Sequence, residues 1–154
     1  MSEKLFYAIR SEDLASVKEI LKKDPALIHT KDQRGSTPLL LATYYGYEDI
    51  TDYLLGLDPD LDEMDGSGNT ALMGVCFKGH EEIARKLVDA GADVNIVNSM
   101  GATALIFAAM FNKPNLVKLL LENGADKSLK DNRGMTALQH AENQGFKETE
   151  ELLR

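Results

Sequence analysis

The chain has 154 residues, 44% hydrophobic and 27% charged, a balance expected of one globular unit. Lysine and arginine total 17 against 25 acidic residues, so the net charge is −8, which repels phosphate backbones and anionic lipids and argues against nucleic acid and membranes as partners. The lone cysteine, Cys76, excludes an internal disulfide, so the fold must be held by packing, as suits a reducing compartment.

The first segment, MSEKLFYAIRSEDLASV, lacks the uninterrupted apolar run of a signal peptide, and no later stretch approaches the roughly 20 apolar residues of a membrane span. A cytoplasmic location is therefore expected. Within residues 1–31, Val17 and Leu21 are four apart, the spacing of one apolar helix face. Next comes DQRGSTPLLLA, from Asp32, in which Thr37 can cap a helix whose first position is Pro38. That helix is predicted to end at ATYYGY, with Gly46 as its stop. A second helix then opens on Glu48 and Asp49 and carries Ile50 and Leu54.

The pattern returns. DGSGNTALMGV, NSMGATALIFA and DNRGMTALQHA place Gly68, Gly101 and Gly134 in register with Gly35, each 33 residues on, and Thr70, Thr103 and Thr136 follow Thr37 at the same interval. The second helices follow suit, with Ile83 and Leu87 after Glu81 and Glu82, and with Leu116 and Leu120 after Pro114. Two units close on glycine, GADVN (91–95) and GADKS (124–128). Each unit therefore reads as helix, turn, helix, loop. Helices of two to three turns are marginal alone, so these must persist by stacking on their neighbours.

The pattern D-x-x-G-x-T-P-L-x-x-A, then G-H-x-x-I, then G-A-D-V-N resembles the ankyrin repeat family. The resemblance implies an all-α solenoid of about five helix-turn-helix units joined by β-turn or hairpin-like loops, forming a single domain over 1–154. The units would be an N-terminal capping repeat (1–31), full repeats (32–64, 65–97, 98–130) and a C-terminal capping repeat (131–154). Polar residues such as Ser11, Lys18 and Lys22 in the first unit, and Asn143, Lys147 and Glu151 in the last, suit terminal caps, so a complete array is expected. There are departures. The family's usual histidine is replaced by Leu40, Met73, Ile106 and Gln139, which removes its bond to the threonine. GLDPDLDE (56–63) stands in place of a GAD ending and leaves the local path open, and Asn112 takes a glycine position.

Three chemistries compete with simple binding. Cys76 and His80 are four apart, as a thiol and its base could be on one helix, but Gly79 is expected to break that helix and Cys76 shares a packing position with Thr43 and Ala109. Asp58, Asp60 and Asp62 alternate like the opening of a calcium loop, yet Glu63 and Asn69 stand where such a loop needs glycine and glutamate. Zinc lacks ligands, because His29, His80 and His140 are scattered, and GSG at 66–68 lacks the strand and third glycine of a nucleotide fingerprint. No cofactor and no metal are expected.

The resemblance also gives ATYYGY a purpose. In the family the two residues before the mid-unit glycine lie exposed on the concave face, which puts Tyr44, Tyr45, Phe77, Lys78, Met110 and Phe111 on one surface, with Asn143 and Gln144 at its end. Turn tips add Arg34, Asn69, Met100, Arg133 and Met135. Tyrosine, phenylalanine and methionine are enriched at interface cores, so these residues are the expected contacts for a partner protein or peptide. Tyr45, Phe77 and Phe111 would be anchors, and Arg34, Lys78 and Arg133 would orient the partner at the rim. The acidic remainder favours a partner with a basic and apolar segment. Phe6, Tyr47, Tyr53 and Phe107 are expected to pack against the scaffold. A monomer is expected.

Overall fold

The computed structural model describes residues 2–154. Among these residues, ten α-helices run in pairs: α1 (Ser2–Arg10) with α2 (Leu14–Lys23), α3 (Pro38–Tyr45) with α4 (Glu48–Leu55), α5 (Ala71–Lys78) with α6 (Glu81–Asp89), α7 (Ala104–Met110) with α8 (Pro114–Glu122) and α9 (Ala137–Gln144) with α10 (Lys147–Leu153). A short 3-10 helix, Pro25–His29, follows α2, and there is no strand among the described residues. Helices α1, α3, α5, α7 and α9 pack side by side in one layer; in the other, α2 meets α4, α6 meets α8 and α8 meets α10. The core lies between the layers and is continuous from Leu5 to Leu153.

Local chemistry sets the helix ends. The hydroxyls of Thr37, Thr70, Thr103 and Thr136 accept from the N–H of Leu40, Met73, Ile106 and Gln139, so the capping threonine works without the family's histidine. At the other end Gly46, Gly79 and Gly145 are left-handed. Asn112 adopts φ 55° in the corresponding place, as its side chain allows, and Glu12 does so in the first unit at φ 56°. The GLDPDLDE segment follows the same path as its neighbours. Asp58, 33 residues before Gly91, supplies the left-handed residue at φ 56°, while Gly56 remains right-handed.

The turns between units are closed by one carboxylate or amide oxygen each. Asp32 Oδ1 accepts from the N–H of Arg34 and Ser36, and Asp65, Asn98 and Asp131 do the same two and four residues on, at 2.9–3.0 Å. Successive turns are then stitched together by backbone bonds from Gly66 to Arg34, Ser99 to Ser67 and Asn132 to Met100. Helices α4 and α6 are joined by Lys86, whose ammonium lies 2.9 Å from Asp52 and 3.4 Å from Glu48. The hydrogen bond to Asp52 holds that ammonium above the usual lysine range.

Candidate functional site

Because α3, α5 and α7 all end near the same face, the side chains at their last turns collect there. Tyr44, Tyr45, Phe77 and Phe111 are 38–45% exposed despite their size. They form two groups rather than one even row. Tyr44 meets Tyr45 edge-on at 5.6 Å and Tyr45 stacks on Tyr47, while Phe77 meets Phe111 edge-on at 4.8 Å and Phe111 stacks on Phe107. Such edge-on and offset pairs fix the rings at little further cost in freedom.

The remaining expected contacts divide. Arg34, Lys78 and Arg133 are exposed, and Met100 is 59% exposed at its turn tip. Lys78 leans its ammonium over the Tyr44 ring, 5.2 Å from the centroid, so this cation is partly engaged within the protein. Met110 departs from the expectation: it is half-buried and packs against the core. Phe111, the next residue, lies just past the end of α7 and stays exposed. Asn69 and Met135 are also half-buried, and the Asn69 side chain accepts a bond from Asn98 at 2.8 Å. Phe6 is buried, and Tyr47, Tyr53 and Phe107 are packed against the core, as expected.

Between the two aromatic groups lies a cavity of about 280 Å³. Its cause is a single position. Leu41, Gly74, Phe107 and His140 share one register, and at Gly74 no side chain fills the space between Tyr44 and Phe107. Leu40, Met73 and Phe77 complete its apolar wall, and Asp65 lies at its edge. Sequence reasoning missed this notch, although the glycine in mid-helix was its visible signal. It also missed Tyr7, 73% exposed on α1, and the exposed pair Met64 and Val97, each immediately before a turn.

The groups considered for other chemistry have different employment. The Cys76 thiol is fully buried, and burial pushes its pKa up to about 12 from 9.0, so it stays protonated and is a poor nucleophile. Gly79 ends α5 before His80, whose Nε2 lies 3.0 Å from the Tyr44 carbonyl and whose ring covers Gly46. In the acidic loop Asp60 accepts from the N–H of Asp62, and Asp62 accepts from the N–H of Asp93 in the next unit. Asp93 and Asn95, then Asp126, repeat that arrangement, so the alternate acids are the loop's structural pattern. No group of three metal-ligating side chains converges among the described residues. No helix among them is long and apolar enough to cross a membrane.

Comparison with known proteins agrees with this architecture. Residues 5–98 and 75–154 match the family described as Ankyrin repeats (3 copies). The chain is also similar to the serine/threonine-protein kinase VIK of Arabidopsis thaliana, 32% identical over 61 residues, which is 40% of this chain and 14% of that protein. The chain thus spans about a seventh of that relative's length. With the family matched along nearly its whole length, and with capped helix pairs recurring every 33 residues, the chain belongs to the ankyrin repeat family.

Proposed function

We propose that the chain is a non-catalytic module that binds a protein or peptide through the aromatic face and turn tips, the surface the family places on its concave side. Ankyrin repeats are generally protein–protein interaction modules. The observation that carries the reading here is four large rings, each 38–45% exposed, gathered on one face. Tyr45, Phe77 and Phe111 act as anchors, while Arg34 and Arg133 act at the rim with Lys78. With a net charge of −8, the favoured partner segment carries basic groups beside apolar ones. The protonated, buried Cys76 and the tethered His80 support a module without chemistry of its own. A monomeric chain in the cytoplasm fits its single unpaired thiol.

The test is affinity capture from native cell extract with the intact chain and a Phe77→Ala, Phe111→Ala variant. The variant is expected to keep its helical circular dichroism and to lose the captured partner, weakening binding by about 2 kcal/mol or more. Unchanged capture, or collapse of the helical signal, would remove the rings from the role of exposed anchors.

A further inference from the structure

The same turn recurs with an aspartate at 32, 65 and 131, and in each the Oδ1 atom is used by the backbone. The Oδ2 atoms differ. Asp32 Oδ2 lies 3.2 Å from the Arg10 guanidinium, and Asp131 Oδ2 lies 2.7 Å from His140 Nε2. His140 reaches it from the register position that Gly74 holds two units earlier. At Asp65 that position has no side chain, and Oδ2 has no hydrogen-bond or ion-pair partner among the described residues. A glycine in the interior of α5 is unfavourable for the helix, and what it leaves is a notch, mostly apolar, that Asp65 helps to line.

We propose that the notch beside Gly74 receives an arginine side chain from the partner, whose guanidinium pairs with Asp65 as Arg10 pairs with Asp32 and His140 with Asp131. The inference rests on the reading of this face as a protein-binding surface and supplies its specificity. The volume of about 280 Å³ is at the lower edge of small-molecule sites, roughly 300–1,000 Å³, and suits one inserted side chain better than a cofactor. Leu40 and Met73 would cover the methylene stem, while Tyr44, Phe77 and Phe107 supply an aromatic lining beside the planar cation. Arginine is favoured over lysine because its guanidinium is weakly hydrated and stacks on rings, whereas an ammonium must shed tightly held water. The neighbouring Lys78, lying over Tyr44, stays outside the notch wall and repels a second cation, which fixes the register of the bound segment.

The test uses the full chain and two probes, N-acetyl-arginine N-methylamide and its neutral isostere built on citrulline, followed by amide and aromatic NMR shifts. Arginine amide should move the Gly74, Asn69 and Tyr44 signals with half-saturation on the order of 1 mM, and the citrulline probe should bind at least about tenfold more weakly. Asp65→Asn should abolish that preference without unfolding, because Asn98 already makes the same two turn bonds with an amide oxygen. Gly74→His should occupy the notch and remove the response to both probes. Equal responses to the two probes, an arginine preference surviving in Asp65→Asn, or largest shifts at other carboxylates would each overturn the assignment. A silent notch together with loss of capture in the Phe77/Phe111 variant would overturn this assignment alone. An arginine response with capture unaffected by that variant would instead overturn the anchoring role of the rings.

Discussion

The outer loops and the aromatic face are made from the same repeating unit, yet they spend their side chains differently. In the loops, Asp60, Asp93 and Asp126 each accept from the N–H two residues on, and Asp62 and Asn95 reach the next unit's backbone at 2.9 and 2.8 Å. These groups recur every 33 residues and are consumed by the scaffold. On the other face the positions before the mid-unit glycine carry Tyr44–Tyr45, Phe77–Lys78 and Met110–Phe111, which do not repeat one another. Their rings are left partly bare. What recurs builds the stack, and what varies is available to a partner.

The largest expected effect sharpens the first half of that contrast. Gly35 and Gly134 occupy equivalent turns with φ 82° and 79°, so alanine suffers the same left-handed strain at both. Their surroundings differ. A methyl group at 35 would sit 2.8 Å from the backbone nitrogen of Gly66, whereas at 134 no described atom would lie within 4 Å. Gly134→Ala is expected to cost about 1 kcal/mol from the backbone alone, and Gly35→Ala on the order of 3 kcal/mol, as the stitched turn must open. Urea denaturation of both variants measures the difference. Equal losses would mean that the turns are not held tightly against one another.

A medium effect belongs to the loop acids. Replacing Asp60 and Asp62 together by alanine removes two bonds to backbone N–H groups and should cost about 1–2 kcal/mol, with the same loss in calcium and in chelator. A calcium-dependent rise in melting temperature, present in the parent and missing in this variant, would break the comparison by returning the loop to metal chemistry.

Much of this was legible in the residues, for identifiable reasons. The interval of 33, the threonine caps and the left-handed Asn112 are each local, so a single unit carries the signal. Cys76 could be placed by its register with Thr43 and Ala109, all three buried. Asp58 was less readable, because an acid followed by Pro59 does not announce a left-handed residue, although counting back from Gly91 would have found it. Met110 was assigned outward with Phe111 from the family pattern, and only packing separates the last residue of α7 from the one that follows it. The notch at Gly74 was hidden for a deeper reason: its walls, Tyr44 and Phe107, come from the units on either side. An empty space is a property of three stacked units, and no single unit encodes it.

The smallest expected effect concerns Asp131, a recurring residue that titrates. Burial pushes its carboxyl upward, but the bonds from His140 and from the N–H groups of Met135 and Arg133 outweigh this and hold it below its ordinary 3.8. A depressed folded value means that the charged form is favoured by the native turn. Its contribution is therefore fully present above the unfolded value and fades as pH falls through the folded one. Asp131→Asn should keep the two turn bonds, as Asn98 does, and lose the charge-assisted bond to His140. At pH 6 the variant should be slightly less stable than the parent, and the gap should close as pH falls through the depressed folded value of Asp131, where the parent's carboxylate becomes neutral too. Comparing the parent and variant curves at each pH cancels the other acids, and amide exchange at Met135 localises the change. A stability gap that stays constant from pH 6 to pH 2 would show that the His140 bond does not act through the carboxylate's charge, and would place Asp131 among the purely geometric members of the repeat.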